Sequence, residues 1–266
     1  MKIAAVQMVS TPDVARNLAS AGNLIARAAA EGAELIALPE NFCLLGKHDR
    51  DKLAAAETPG DGPIQAMLAT AARDHGVWLV GGTLPLRIAG DAEHVLNACC
   101  VFAPDGSLAA RYDKIHLFGF DNGAERYDES SVIAPGSDVV ALELAPQRVR
   151  LGLSVCYDVR FPELYRRLGA DLIAVPSAFT YTTGQAHWEL LLRARAVENQ
   201  AYVIAPAQGG RHENGRRTWG HSMIVDPWGE VLACRAEGEG IVAAEFDPTR
   251  VADVRRRLPA LSHRRL

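Results

Sequence analysis

The sequence lacks the patterns that mark several large classes of protein. It has no run of about 18 apolar residues, which argues against a membrane-spanning helix. It has no GxGxxG or GxxxxGK(S/T) motif, so nothing supports nucleotide binding. Its eight histidines have no HxxxH or HExxH spacing, and its five cysteines have no CxxC spacing. We therefore expect no metal site and no cofactor.

The cysteines also bear on the cellular compartment. Their odd number and irregular spacing argue against a disulfide framework, so we expect free thiols in a reducing environment. The chain opens with the alternating strand pattern MKIAAVQM, and no charged and apolar leader precedes it. These features predict a cytoplasmic protein.

The balance of charge gives no sign of a polyanionic partner. The chain has 28 basic and 32 acidic side chains, for a net charge of −4. Neither nucleic acid nor an anionic membrane is therefore favoured as a partner. The basic stretch RRRLPALSHRRL at 255–266 is typical of a solvated or docking tail rather than a nucleic-acid-binding arm.

Strand and helix patterns alternate along the chain. Apolar residues at 18, 21, 25 and 28 predict an amphipathic helix over 17–31. Further helices are predicted over 61–74 and 185–198, and a helical pattern begins at Pro162. Strands are predicted over 2–8, 34–38, 77–83, 97–102, 108–112, 148–155, 172–175, 202–205, 223–225, 231–234 and 241–246.

Two parts of the sequence resemble each other. ELIALPENF at 34–42 resembles DLIAVPSAF at 171–179, and VFAPDGSLAARYD at 101–113 resembles IVDPWGEVLACRA at 224–236. The repeated order predicts two pseudo-symmetric halves, each with a sheet covered by helices on one face. Two such sheets packed face to face form a four-layer α-β-β-α sandwich. No Gly- or Ser-rich linker divides the halves, so we predict one domain over 1–250 and a C-terminal tail over 251–266.

The stretch GLSVCYDVRFPEL at 152–164 contains a candidate nucleophile. Cys156 ends an apolar strand just before a turn and a helix, which is the position of the nucleophile in hydrolase elbows. Buried cysteines also serve as small hydrophobic residues. A thiol needs activation to react at neutral pH. His116, His187 and His221 are candidates for a Cys–His dyad, but nothing in the sequence directs any of them at Cys156.

Three charged residues are further candidates, each with an ordinary alternative. Glu40 ends the buried strand ELIALPE, where a carboxylate would be rigidly held, although a Glu after Pro is also common on surfaces. Lys114 lies among apolar residues and is either an electrostatic clamp or a lysine that extends to water. Glu129 lies in a turn-rich segment, and its position alone gives little indication of a function.

Four motifs taken together resemble the nitrilase superfamily of carbon–nitrogen hydrolases. They are LPEN at 38–41, YDKIHLF at 112–118, YDES at 127–130 and CYDVRFPEL at 156–164. Their order and long separations also match the family.

The second half of the chain narrows this resemblance to one branch. Residues 183–238 are similar to the branch that includes deaminated glutathione amidases, and LPALSHRR at 258–265 resembles the tail of that branch. The related omega-amidases share AHWELL and GHS but usually lack the GRH segment at 210–212. One departure is the Gly–Gly pair at 209–210, where the branch has Cys–Gly.

The resemblance implies roles for four residues. Glu40 is implied as general base, Lys114 as transition-state stabiliser and Cys156 as nucleophile, while Glu129 holds Lys114 and orients substrate. It also implies a single carbon–nitrogen hydrolase domain with the α-β-β-α fold. Such domains associate through their helices into homodimers or larger homo-oligomers, and we expect the 251–266 tail to pack at that interface.

These residues suit cysteine-dependent amide hydrolysis. The thiol attacks a small carboxylate-bearing amide, ammonia leaves, and water hydrolyses the thioester. Lys114 and the backbone N–H of Tyr157 are placed to stabilise the oxyanion. Arg160 is a candidate clamp for a substrate carboxylate, with pairing to Glu163 as the structural alternative. The substrate-binding mouth is also expected to include Phe179 and Thr183.

Several alternatives to a deaminated glutathione amidase stay open. The same residues would serve an omega-amidase acting on α-keto-acid amides, an N-carbamoyl amino acid hydrolase or a nitrilase. A non-catalytic member that acts as an interaction partner is a further alternative, although the complete set of Glu, Lys and Cys argues against it. A metallohydrolase would lose activity with a chelator, and we expect no such loss.

Overall fold

Strands and helices alternate along the chain, as the apolar periodicity predicts. The computed structural model describes residues 1–123 and 126–265. The helices are α1 (Val14–Ala30), α2 (Asp51–Ala55), α3 (Pro63–His75), α4 (Pro162–Leu168), α5 (Tyr181–Asn199) and α6 (Pro248–Arg257), with 3-10 turns at Glu129–Ser131 and Cys156–Arg160. The strands are β1 (Lys2–Gln7), β2 (Leu35–Ala37), β3 (Trp78–Val80), β4 (Leu84–Ile88), β5 (Asp91–Phe102), β6 (Leu108–Asp113), β7 (Gly119–Asp121), β8 (Arg126–Asp128), β9 (Ala141–Leu144), β10 (Val149–Leu153), β11 (Leu172–Ala174), β12 (Tyr202–Ala205), β13 (Gly209–Arg211), β14 (Arg217–Trp219), β15 (Ser222–Val225), β16 (Val231–Arg235) and β17 (Gly240–Glu245).

Most strands form two sheets with matching strand order. One sheet has the order β17-β1-β2-β3-β5-β4 with β6 also paired to β5, and the other has the order β16-β15-β12-β11-β10-β9. Three parallel strands, β1 to β3 in one sheet and β10 to β12 in the other, are followed by an antiparallel hairpin, β5–β6 or β15–β16. The two predicted halves are therefore visible in the strand order.

Successive side chains of a strand point to opposite faces of the sheet, and this alternation accounts for the four layers. Ile3 and Ala5 of β1 pack in the same core as Leu151 and Leu153 of β10, so these faces of the two sheets meet. Ala4, which points to the opposite face of β1, belongs to a separate cluster with side chains of α1 and α3. The predicted α-β-β-α sandwich is confirmed.

The C-terminal helix begins earlier than the predicted tail. Asp247 caps α6 by accepting a hydrogen bond from the N–H of Thr249, and Pro248 occupies the first helical position. Val251 then packs into the core between the sheets. Helix α6 therefore crosses the boundary that the sequence predicted between 250 and 251. Packing of this segment at an oligomer interface stays a prediction.

Two further differences have local causes. Strand β4, LPLRI, lies outside the predicted strands, and it forms at the edge of its sheet, where Pro85 costs no ladder hydrogen bond. Helix α5 begins at Tyr181 rather than 185 because Thr180 caps it through the N–H of Thr183. Within residues 1–123 and 126–265, no helix is both long and apolar enough to cross a bilayer.

The contact between the sheets yields a stability prediction. Leu151 is fully buried in β10, so Leu151→Ala should lower the free energy of unfolding by about 2–5 kcal/mol through lost burial and the cavity left behind. The matched control is Leu108→Ala, whose side chain is 50% exposed on β6 and should change stability by less than about 0.5 kcal/mol. Urea unfolding measures both, and similar losses for the two variants would contradict this description of the core.

Candidate active site

Side chains from the ends of strands in both sheets meet in one cleft. Glu40 follows β2, Lys114 follows β6 directly, and Cys156 follows β10. All three line the same cleft, together with Glu129 from the first 3-10 turn. The structure therefore brings together the four residues proposed as catalytic.

Lys114 is buried between two carboxylates. Its Nζ lies 2.9 Å from Glu40 Oε1 and 2.7 Å from Glu129 Oε2, and the residue is 1% exposed. Burial alone would lower the pKa of Lys114, but the charges of Glu129 and Glu40 outweigh it and hold that pKa well above its ordinary value. The lysine is therefore a permanent cation at the floor of the cleft.

The two carboxylates are held by further donors. Glu40 accepts from the N–H of Ala178 at 2.9 Å, and Glu129 accepts from the N–H of Phe118 at 2.8 Å. Asn97 Nδ2 lies 3.0 Å from Glu40 and 3.3 Å from Glu129. Burial opposes ionisation of Glu129, but the charges of Lys114 and Lys52, together with hydrogen bonds from Lys114 and Phe118, outweigh burial and lower its pKa. Both carboxylates are therefore fixed in orientation.

Asn97 was not selected from the sequence. It is 4% exposed and lies within β5, in the otherwise apolar run VLNACCVF. A buried amide in an apolar strand requires hydrogen-bond partners, and this is the signal that was available.

The Cys156 elbow is strained and tightly held. Cys156 has φ +50°, an uncommon conformation for a residue other than glycine, and its N–H donates to Pro176 O at 2.9 Å. Burial raises the pKa of the Cys156 thiol well above its ordinary value, and the nearby Glu40 charge raises it further, while Lys114 opposes. The resting thiol therefore keeps its proton, and a base must remove it during reaction.

Asp158 joins the elbow to the segment that carries Lys114. Its fully buried carboxylate accepts from the N–H of Val155 at 2.8 Å, from Tyr112 OH at 2.7 Å and from the N–H of His116 at 3.0 Å. His116 Nδ1 lies 2.7 Å from the same carboxylate. Sequence reasoning missed Asp158, although it lies only two residues after the candidate nucleophile.

The three histidines considered for a dyad have other partners. His116 bonds Asp158 and stacks on Phe161 with ring centroids 3.7 Å apart. His187 Nδ1 lies 3.3 Å from Arg160 Nη1, and His221 Nδ1 lies 2.9 Å from the carbonyl of Trp219. Glu40, whose charge and hydrogen bond both act on the Cys156 thiol, is thus the candidate base.

The residues predicted to bind substrate lie along one wall of the cleft. Arg160 lies over the rings of Tyr157 and Phe179, at 5.6 and 5.5 Å from their centroids. Among the residues that the structure describes, Arg160 forms no salt bridge, with Glu163 or any other acid. The hydroxyl of Thr183 lies 2.8 Å from that of Thr180 and belongs to the cap of α5. Phe179 and Thr183 both line the cleft.

Tyr157 has the backbone position that the oxyanion role requires. It is the second residue of the 3-10 turn Cys156–Arg160. The first N–H groups of a helix have no acceptor within the helix itself. Its N–H is therefore available to a ligand next to Cys156.

The rim of the cleft also carries charged residues that were not selected from the sequence. They are Asp49, Lys52, Asp128, Arg216 and Arg217. Arg216 forms an ion pair with Asp49 at 2.7 Å, which joins the chain before β14 to the chain before α2. In the described part of the chain, no group of three or more His, Cys, Asp and Glu side chains is arranged to hold a metal ion.

A family model for carbon–nitrogen hydrolases matches residues 2–256. The chain belongs to the carbon–nitrogen hydrolase family. Among curated relatives, a deaminated glutathione amidase of Synechocystis is 44% identical over 265 residues, covering 98% of this chain and 97% of that protein. An omega-amidase of Xenopus tropicalis is 38% identical over 268 residues, covering 99% and 95%.

Solved structures agree with this membership. Yeast Nit3, a member of branch 10 of the nitrilase superfamily, has a TM-score of 0.88 and 33% identity, with coverage of 97% of this chain and 94% of Nit3. The C. elegans NitFhit protein has a TM-score of 0.90 and 42% identity, and the match covers 99% of this chain but 65% of NitFhit. The predicted membership of the nitrilase superfamily is confirmed.

The charges around the thiol of this hydrolase predict its reactivity. Glu40 raises the pKa of Cys156, so Glu40→Gln should lower that pKa and increase the thiolate fraction at mildly alkaline pH. We expect iodoacetamide to alkylate Cys156 faster in this variant than in the wild type, on the order of tenfold.

Peptide mass spectrometry follows this alkylation at each cysteine. Cys234, which lies outside the cleft on β16, is the internal control and should react equally in both proteins. Slower alkylation of Cys156 in the variant would instead mean that Glu40 already removes the thiol proton in the free enzyme.

Proposed function

We propose that the protein is an amidase that cleaves the C–N bond of small carboxylate-bearing amides through a thioester on Cys156. One observation carries the proposal: a thiol, a carboxylate and an ammonium, those of Cys156, Glu40 and Lys114, share a single cleft. Family membership supports the reaction class. The reaction steps below assign roles to the residues.

In the first step, Glu40 removes the thiol proton while Cys156 Sγ attacks the amide carbon. The carbonyl electrons move to oxygen and form an oxyanion. An ammonium has three N–H donors, and Glu40 and Glu129 accept two of those of Lys114. The third is free for the oxyanion, with the N–H of Tyr157 as a second donor.

In the second step, the oxyanion collapses and the C–N bond breaks. Glu40 returns its proton to the departing nitrogen, so the amine leaves neutral and the acyl group remains on Cys156 as a thioester. Water then attacks the thioester as Glu40 takes one of its protons. Collapse of this intermediate releases the acid, and the thiolate of Cys156 regains the proton from Glu40.

The favoured substrate is deaminated glutathione, with an omega-amidase substrate such as α-ketoglutaramate as the alternative. Identity is 44% to a deaminated glutathione amidase and 38% to an omega-amidase. The GRH segment at 210–212, which omega-amidases usually lack, supports the same choice. Arg160, which forms no salt bridge within residues 1–123 and 126–265, would bind the carboxylate of the acyl portion. Deaminated glutathione is a secondary amide, so the group that leaves is an amine rather than the ammonia first expected.

Hydrolysis assays with four substrates test this function. Purified protein is given deaminated glutathione, α-ketoglutaramate, an N-carbamoyl amino acid and a simple nitrile, and kcat/KM is compared. We expect deaminated glutathione to be the best substrate, and values of kcat/KM that are equal among the four would reject that choice.

Variants test the assigned roles. Cys156→Ala and Glu40→Gln should lower kcat by at least about 10³-fold. Lys114→Ala should also lower Tm, because it leaves two carboxylates buried without a cation. Cys234→Ser, outside the cleft, is the control and should keep full activity. Full activity in Cys156→Ala would reject the mechanism.

The protein is also proposed to form a homodimer or larger homo-oligomer, and to be cytoplasmic. Large apolar side chains are exposed on one region: Leu190 and Val197 of α5, Trp228 in the β15–β16 turn, and Leu232 of β16. Arg193 of α5 donates to the carbonyl of Gly229 at 2.8 Å, which joins the helix to that turn. Exposed apolar surface of this kind is typical of an interface between subunits.

Light scattering after gel filtration tests the assembly. Leu190→Glu combined with Trp228→Glu should shift the protein to a smaller species, since each substitution would bury a charge in the interface. Leu108→Glu, on the exposed face of β6, is the matched control and should leave the mass unchanged. A monomeric wild-type protein would reject the proposal.

A further inference from the structure

Arg217 is held at the rim of the cleft, but its guanidinium has few hydrogen-bond acceptors in the described part of the protein. Its guanidinium stacks on Tyr181, with Cζ 3.7 Å from the ring centroid. Its nearest acid is Glu237 at 3.7 Å, a residue that is itself 59% exposed. An ion pair of this kind contributes little in water. Arg217 is therefore fixed in place by an aromatic ring rather than by a counterion.

One donor of this guanidinium has no acceptor within the described part of the chain. Arg217 Nε is buried and makes no hydrogen bond, although buried polar atoms are normally paired. The side chain as a whole is 34% exposed and lines the cleft. The outer N–H groups of the guanidinium are thus the part that a ligand would reach.

Arg217 and Arg160 share a wall of the cleft. Arg160 lies over Phe179 and Arg217 over Tyr181, and these rings are two residues apart, at most about 7 Å between Cα atoms. Strand β14, which carries Arg217, runs beside this segment, because Trp219 N–H donates to Phe179 O at 3.0 Å. This wall of the cleft therefore has two guanidinium groups, one at the elbow and one at the rim.

The other rim cations are less suited to a second anion. Arg216 already pairs with Asp49 at 2.7 Å. Lys52 also lines the cleft, but its ammonium is a point charge without the planar fork that binds a carboxylate in a bidentate way. Asp128 also lines the cleft and disfavours an anion close to itself. Of the two rim arginines, Arg217 has the longer and more exposed ion pair, so its guanidinium is the one better placed for a ligand carboxylate.

We propose that Arg217 binds a carboxylate on the amine portion of the substrate, so that the enzyme selects amides with a carboxylate at each end. This inference rests on the proposed function and narrows it. Arg160 takes the carboxylate of the acyl portion, and Arg217 takes the one that leaves with the amine. An amide with only one carboxylate, such as α-ketoglutaramate, would leave Arg217 unused.

The test compares deaminated glutathione with its C-terminal carboxamide, which has the same size but no charge at the far end. In the Cys156→Ala background, calorimetry should give an affinity for the acid about 10- to 100-fold higher than for the carboxamide. Arg217→Gln should remove most of that ratio, and Arg217→Lys should keep part of it, because a lysine keeps the charge but loses the planar fork.

Arg211 provides a matched control. It pairs with Arg217 across the β13–β14 hairpin but lines a different cavity. Arg211→Gln should leave the ratio of affinities unchanged. In active enzyme, Arg217→Gln should also lower the ratio of kcat/KM for the acid to that for the carboxamide, mainly by raising KM for the acid.

The outcomes separate this inference from the proposed function. Equal affinity for the acid and the carboxamide, no binding of either, or an equal fall in the ratio for Arg211→Gln overturns the role of Arg217. Hydrolysis of both compounds at equal rates also overturns it, yet leaves the amidase function intact. Failure of the wild-type enzyme to hydrolyse any amide rejects the amidase function, whereas the affinity ratio decides on Arg217 by itself.

Discussion

A single buried ammonium between two carboxylates sets the arrangement of the cleft. Lys114 lies 2.9 Å from Glu40 and 2.7 Å from Glu129, and the three residues come from three separate segments. Removing Lys114 would leave two carboxylates buried without their cation, and breaking a buried pair in this way typically costs about 3–5 kcal/mol. The ends of β2 and β6 and the turn at Glu129 must therefore stay together in the folded state. A cleft fixed in this way before substrate arrives can stabilise charge without reorganising.

A second buried carboxylate joins this arrangement to the other sheet. Asp158 accepts hydrogen bonds from its own elbow at Val155 and from Tyr112 and His116 on the segment around Lys114. The elbow of Cys156 has an unfavourable positive φ, and contacts of this kind maintain it. The distance between nucleophile and cation thus depends on a residue that touches neither reacting atom. Asn97 holds the two carboxylates more directly, because its amide donates to both Glu40 and Glu129.

Much of this structure could be predicted from the sequence, and the parts that could not have a common cause. Periodicity predicts most strands and helices, and the internal resemblance of 34–42 to 171–179 predicts two similar sheets. Strand β4 was missed because it forms at a sheet edge, helix α6 was missed because its segment was predicted as a tail, and the start of α5 was missed because a local cap decides it. Asp158 and Asn97 were missed because a buried polar residue is recognised by its partners, which lie far away in the chain. Arg216 and Arg217 were visible only as a basic pair.

The sequence by itself determined which side chains are present and which strand ends they follow, since both depend on local order and on alternation along each strand. Only the tertiary structure determined which of those side chains come into contact and how they change each other's pKa. Glu40 and Lys114 are 74 residues apart in the chain, yet Glu40 helps to raise the pKa of Lys114 and so keeps it charged. Glu40 also raises the pKa of the Cys156 thiol. Charge, burial and hydrogen bonding act over a few ångströms, and those distances exist only after the two sheets have packed.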